Sequence, residues 1–130
     1  RRKYRIDLEN TMEKSKFGVC PLFTFEKIIS GKWMLPVLRC LEQNDGIRFG
    51  ALLRCFPEIT KATLTKQLRR LEEVGFVLRE ETEGYPRNVA YRLTDVGHEF
   101  LHVFNKVEAW CEIYLADKAE REAHAAALAE

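Results

Sequence analysis

Between Thr60 and Leu93 the apolar positions change period, from that of a helix to that of strands. Leu64, Leu68 and Leu71 fall at i, i+4 and i+7 and define one apolar helix face. At about 100° per residue, Ala62, Lys66, Arg69 and Arg70 project away from that face, with Thr65 on its flank. Thr60 is placed to cap the helix, its hydroxyl accepting from the first-turn amides, and Gly75 suits a left-handed stop. The spacing therefore predicts a helix over 61–74. Residues 76–82 and 89–93 alternate as strands do, and the tip between them, 83–88, holds Gly84, Pro86 and Arg87.

Upstream, residues 1–18 are polar and only weakly periodic around Tyr4, Ile6, Leu8 and Met12, as expected of an arm or a helix ordered against a partner. A short helix is predicted over 24–29, burying Phe25, Ile28 and Ile29 and broken by Ser30-Gly31. A more apolar one follows over 32–43, with Pro36 a turn inside, where it removes a hydrogen bond or kinks the helix. Asn44-Asp45-Gly46 reads as a turn, 47–49 as a brief strand and 49–56 as a third helix stopped near Pro57. Downstream, Thr94 caps a long helix to about Leu115, with Phe100, Leu101, Phe104, Val107, Trp110 and Leu115 as its apolar stripe. The Ala- and Glu-rich tail, 116–130, favours helix but has little to bury. The fold class is α+β, mostly helical, arranged as an arm over 1–19, one domain over 20–115 and the tail.

Length and composition agree with one globular domain: 130 residues, 46% apolar and 32% charged. No apolar run approaches the ~20 residues that span a bilayer. The basic start lacks the apolar stretch of a signal peptide, so a soluble cytoplasmic protein with no membrane role is expected. The net charge of +1 hides an uneven distribution. Residues 1–45 and 46–93 each carry nine basic and six acidic side chains, whereas 94–130 carry three and eight. The positive charge thus accompanies the helix and hairpin, which keeps a polyanionic partner in play.

Four cysteines lie far apart at Cys20, Cys40, Cys55 and Cys111, without zinc spacing, and the three histidines supply no ligand motif. Cys40 and Cys55 sit among apolar neighbours and read as small core residues, and Cys111 as core or interface. Cys20, before Pro21, is placed where a thiol can stay accessible. The chain has no Ser-His-Asp set, no phosphate-cradling glycine loop and no paired metal ligands, so neither an enzyme nor a cofactor is expected.

A capped helix that buries leucines and exposes Thr, Lys and Arg, followed by a hairpin, resembles a winged helix-turn-helix. Cys20-Pro21, Gly31-Lys32-Trp33, Arg48-Phe49, Pro57-Glu58-Ile59, Leu64-Thr65-Lys66-Gln67-Leu68-Arg69-Arg70-Leu71-Glu72 and Tyr91-Arg92-Leu93-Thr94-Asp95-Val96-Gly97 occur in that order. Together they resemble the HxlR-type family of bacterial transcription regulators, relatives of the MarR group, over roughly 20–115. The resemblance implies a homodimer that reads a palindromic operator in double-stranded DNA. In it the third and fourth helices form the helix-turn-helix, a two-stranded wing follows, and terminal helices form the dimer interface. Lys61 to Val74 would be the recognition helix and Arg87 would sit on the wing. Pro36 and the polar tail after Leu115 depart from the family pattern.

The chemistry of these positions fits such a role. Thr63, Thr65, Lys66 and Arg69 can reach base edges or phosphates, and Arg is suited to guanine O6 and N7. Lys61 and Lys66 are phosphate candidates that set register without reading sequence, as is Arg48. Arg87 can meet the minor groove or the backbone, while Arg70 is better read as a surface ion pair. The late stripe, with Phe100, Phe104, Val107 and Trp110, either packs on its own domain or on a second copy; the resemblance tips the choice to the dimer. Several members of the family sense oxidants or electrophiles through a cysteine placed like Cys20, where Lys16, Lys27 or Lys32 would favour the thiolate. The competing reading of Cys20 is a packed residue at the dimer seam. Two other functions stay open: a repressor of this fold sensing a small-molecule effector, and a winged helix used for protein contacts without DNA.

Overall fold

The computed structural model describes residues 18, 20–29, 31–84 and 88–130. It divides into two compact units, 1–34 and 35–130. The expected arm over 1–19 lies outside the described residues apart from Gly18.

In the first unit, helix α1 spans Pro21–Ile28, starting a turn earlier than the apolar spacing alone indicates. Pro21 stands in its first turn, where a missing N–H removes no helical bond, and the Thr24 amide and hydroxyl both donate to the Cys20 carbonyl at 3.0 Å. None of its side chains is fully buried, and Leu22, Phe23 and the following Ile29 are exposed. The expected burial of Ile29 is therefore not met.

Helix α2, Met34–Gln43, begins two residues later than expected, and this resolves the question of Pro36. Pro36 is its third residue, among the first four amides that have no carbonyl to pair with, so no bond is lost and no kink is required. Strand β1, Ile47–Arg48, leads into α3, Phe49–Arg54, and then the chain turns through Pro57 with the Ile59 amide donating to the Phe56 carbonyl. Helix α4, Lys61–Glu73, buries Leu64, Leu68 and Leu71 as their spacing predicts. Thr60 caps it, its hydroxyl accepting from the Thr63 amide at 3.1 Å. At the other end the amides of Gly75 and Phe76 return to the carbonyls of Glu72 and Leu71, with Gly75 at φ +80°. This paired stop satisfies two otherwise orphaned carbonyls and turns the chain into the sheet.

Strands β2, Val77–Thr82, and β3, Asn88–Leu93, form the hairpin, in register from Val77 opposite Leu93 to Thr82 opposite Asn88. The sheet is larger than the two-stranded wing expected. β1 adds antiparallel to the free edge of β3, Ile47 facing Tyr91, to give the order β1-β3-β2. β1 thus ties the start of the helix-turn-helix to the wing.

Helix α5 runs without a break over Asp95–Ala129, so the tail expected after Leu115 is a continuation of it. Its first turn is fastened to the end of α4. The Thr94 hydroxyl accepts from the Gly97 amide and donates to the Gly75 carbonyl at 2.6 Å, and the Thr94 amide donates to the Phe76 carbonyl. Gly97 lies so close to Phe76 that a Cβ would overlap the Phe76 carbonyl oxygen. Gly97→Ala is therefore expected to destabilise the fold by about 1–3 kcal/mol, because backbone must shift to admit one methyl. A urea midpoint unchanged from the parent would contradict this.

Phe100, Leu101 and Phe104 complete the core, with the Phe76 and Phe100 rings 4.5 Å apart and those of Phe100 and Phe104 5.0 Å apart. Arg39 of α2 then grips the next turn, donating to Asn105 at 2.9 Å and Glu108 at 2.7 Å. Beyond Glu108 every side chain of α5 is exposed except Cys111, which is partly covered.

Candidate nucleic-acid interface

The exposed side of α4 is defined by what its three leucines bury. Lys61, Ala62, Lys66 and Arg69 are solvent-exposed, and Thr63 and Thr65 are half-buried along the flank. Ala62, Thr65, Lys66, Arg69, Arg70 and Glu73 line one shallow depression on this face. A second, between α4 and the sheet, is lined by Thr65, Arg69, Glu72, Arg79 and Tyr91. Ala62 adds no bulk at the centre of the basic stretch, which leaves the helix backbone open to close approach.

The electrostatics separate these cations from the arginines of α2 and of the sheet. Arg39 is paired with Glu42 and Glu108, Arg92 with Asp45 and Glu80, and Arg79 with Glu81 at 2.7 Å. A hydrogen bond to Tyr91, with that to Glu81, also raises the Arg79 pKa above the ordinary arginine value. Lys61, Lys66 and Arg69 have no such carboxylate among the described residues. Arg70 is half-buried and already engaged within the chain. The face therefore carries cations whose charge is not spent internally, next to helix amides held by a cap.

Thr63, expected within reach of base edges or phosphates, is half-buried and also takes part in the cap. The Thr60 hydroxyl, while accepting from the Thr63 amide, donates to the Thr63 hydroxyl at 2.9 Å, so Thr63 belongs to the cap. Arg48 is exposed and precedes α3, and together with Gly50, Ala51 and Arg54 it lines a third depression. Arg54 escapes sequence reading because it lies on the apolar third helix, yet it is exposed and unpaired among the described residues. Arg87 lies outside the described residues, as do Tyr85 and Pro86, so only the base of the wing is in view.

The late apolar stripe divides between the core and the surface. Phe100 and Phe104 are 8% and 6% exposed and pack in the chain's own core, so they do not offer a dimer surface. Val107, two turns after Phe100, stays on nearly the same face of α5 yet is exposed, as are Val103, Trp110 and Tyr114 on its flank, Trp110 at 58%. Trp110 and Tyr114 stack with ring centroids 5.3 Å apart. Helix phase alone does not show where along α5 the core stops.

The cysteines also depart from expectation. Cys20 is 5% exposed, so the accessible thiol expected before Pro21 is not found. Cys55, expected in the core, caps the end of α3 and is exposed. Cys40 is buried as expected, and its sulfur lies 3.2 Å from that of Cys55. Burial, and then the facing Cys55 sulfur, push the Cys40 thiol up to about 11.

Known proteins share this architecture. The family model described as HxlR-like helix-turn-helix matches residues 28–119. The HTH-type transcriptional regulator YdeP of Bacillus subtilis, itself uncharacterized, is 35% identical over 113 residues, covering 87% of this chain and 84% of YdeP. A solved structure assigned to the MarR family of transcriptional regulators, from Enterococcus faecalis, superposes with a TM-score of 0.71 at 32% identity, covering 85% of this chain and 98% of that one. The redox regulator HypR in its reduced form gives a TM-score of 0.64 at 33% identity, covering 71% and 90%, and it has been solved in an oxidized form as well.

Proposed function

The chain belongs to the HxlR-like helix-turn-helix family of transcriptional regulators, with a winged-helix fold, and on that premise we propose that it acts as a homodimer reading a two-fold symmetric operator. The observation that carries this reading is the set of cations on the outward side of a capped helix, Lys61, Lys66 and Arg69, that have no salt bridge among the described residues. Helix α4 enters the major groove, where Arg69 reads a base edge and Thr65 supports it, while Lys61 and Lys66 bind phosphates. Thr63 contributes by holding the cap from which these side chains project. Arg48, with Arg54 beside it, takes phosphate at the start of α3, and Arg87 on the wing reaches the adjacent groove or backbone. No bond is made or broken in this work, so the activity is binding and not catalysis.

The dimer is formed along α5 through Val107 and Trp110, joined by Val103 and Tyr114, in place of Phe100 and Phe104. Two-fold pairing sets the two α4 helices about one DNA turn apart, roughly 34–36 Å, which calls for a palindromic site. The domain then extends from residue 20 into α5, with 116–130 as its helical continuation. Among the described residues no helix is long and apolar enough to cross a membrane. Response to an oxidant or electrophile is part of this reading, supported by the likeness to HypR. Cys20, being buried, would react only when its cover opens.

The test is affinity for the DNA upstream of the protein's own coding sequence, against scrambled DNA of the same length, over a salt series. Several phosphate contacts per protomer predict a loss of about 10³-fold or more between 50 and 200 mM salt. They also predict a preference for the upstream site that persists at each concentration. Equal, weak and salt-insensitive binding of both DNAs would favour the protein-interaction reading instead.

A further inference from the structure

Two of the four cysteines are brought together by the fold and by nothing in their spacing. Cys40 lies on α2, Cys55 ends α3, and their sulfurs are 3.2 Å apart across a separation of 15 residues. Around this pair the roles are unequal. Cys55 is exposed and its S–H donates to the Ala51 carbonyl at 3.4 Å. Cys40 is buried, donates its S–H toward the Cys55 sulfur, and receives the Asn44 amide at 3.8 Å. The same Asn44 side chain is fixed by donating to the Cys40 carbonyl at 2.9 Å. One thiol thus faces solvent while the other waits behind it, within a short closing movement of a covalent bond.

We propose that Cys40 and Cys55 are a dithiol oxidation site, closed by hydroperoxides into a disulfide within one chain, and that closure disturbs the helix-turn-helix. In the first step the Cys55 thiolate attacks the distal peroxide oxygen. The O–O bond breaks, the alkoxide leaves and takes a proton to become the alcohol, and Cys55 becomes a sulfenic acid. In the second, the Cys40 sulfur attacks the Cys55 sulfur as its own proton departs, and water leaves. Two thiols and one hydroperoxide give one disulfide, one alcohol and one water. The high pKa of Cys40 keeps it protonated until Cys55 has reacted, so it suits the resolving role and not the attacking one.

The structural consequence follows from where the bond would sit. A disulfide is about 2.05 Å long, so the sulfurs must close by about 1 Å. Cys55 is the C-cap of α3 and its amide already donates to the carbonyls of Leu52 and Leu53. Only the turn through Ile59 separates it from the cap of α4 at Thr60. A pull there acts on the angle between α3 and α4, where DNA contacts tolerate displacements of only about 0.5 Å. Two-state closure of this kind places an oxidant signal directly on the reading unit, without requiring Cys20.

The effect on DNA rests on the regulator reading above, whereas the disulfide itself does not. Purified full-length protein is treated with cumene hydroperoxide, alkylated, digested without reductant and mapped by mass spectrometry. In parallel, affinity for its upstream DNA is measured before treatment, after it, and after dithiothreitol. The expected result is a Cys40–Cys55 linked peptide from a species that stays one chain in denaturing gels. Free thiols fall from four to two, and DNA affinity falls about tenfold or more, recovered by reductant. Cys55→Ser, an exposed and conservative change, should bind DNA like the parent when reduced and be indifferent to peroxide, while Cys20→Ser should respond like the parent. A chain-to-chain crosslink, Cys55 joined to any other cysteine, or over-oxidised Cys55 without a link each overturns the proposal. A mapped disulfide with unchanged DNA affinity overturns the switch. If the reduced protein shows no preference for its upstream DNA, the regulator reading fails, and the peptide map still decides the dithiol.

Discussion

Arg69→Ala should weaken binding to the specific operator by about 10- to 100-fold for each half-site, and the dimer carries the change twice. Well-separated losses add, so the two-site complex should lose about 2–6 kcal/mol, most of it specific to one base pair in each half-site. The reason lies in the free protein. Arg69 is exposed and pairs with no carboxylate among the described residues, so removing it orphans none of their charges and leaves no hole in the core. Its loss should spare the melting temperature. Arg79→Ala is the informative contrast, because that guanidinium is engaged by Glu81 and Tyr91 and is less available to DNA. Lys66→Ala should behave differently again, weakening all sequences alike and lowering the salt slope by about one per protomer. Titrations of the three variants against operator and scrambled DNA separate these patterns. If Arg69→Ala binds both DNAs as the parent does, α4 is not the reading helix.

The parts of the fold that were legible in the sequence are those set by neighbours along the chain. Helix α4 is the clearest: Thr60 at its cap, leucines at 64, 68 and 71 and Gly75 at its stop each act within one turn, and all are found in place. The misplaced features depend on distance or on phase. Pro36 looked disruptive only while the helix was taken to start at Lys32; a start at Met34 makes it harmless. The addition of β1 to the sheet needs Ile47 to meet Tyr91, a pairing that no local pattern announces. Phe100 and Val107 share a stripe by spacing, yet the core claims one and leaves the other exposed.

The candidate site shows the same division. That α4 is basic on its outer side was legible, because helix phase alone assigns its faces. Which cations of helix and hairpin lack a carboxylate among the described residues was not, since Arg79 and Arg92 differ from Lys66 and Arg69 in the carboxylates the fold brings to them. The cysteines make the point most strongly. Cys55 lies between Leu52 and Phe56 in a helix-like run, which favours burial, but α3 ends one residue earlier and leaves the residue exposed. Its partner at Cys40 is supplied by another helix. A contact of two sulfurs is a tertiary fact, and no spacing rule for metal or redox motifs would find it.

Trp110→Glu should convert the protein to monomer and lower operator affinity by about 10²-fold or more, without unfolding it. Trp110 is 58% exposed and stacks on Tyr114 of the same helix, so its own chain loses little. In a two-fold interface each residue meets its own counterpart or a near neighbour, so the substitution removes an aromatic anchor twice and places two carboxylates in the same seam. The surroundings cannot absorb them: residues 94–130 already carry eight acidic side chains against three basic ones. The DNA effect follows from the dimer effect. With both heads joined, the second half-site is bound at an effective concentration set by the linkage, and a monomer forfeits that gain even though its Arg69 and Lys66 are untouched. Sedimentation velocity and operator titration on one preparation make the test decisive. A variant that stays dimeric and keeps full affinity would remove α5 from the seam and direct attention to the exposed Leu22 and Phe23 of α1. A monomer that still binds the full operator as tightly as the parent would be more damaging. It would show that one reading head suffices, and the palindrome would lose its physical basis.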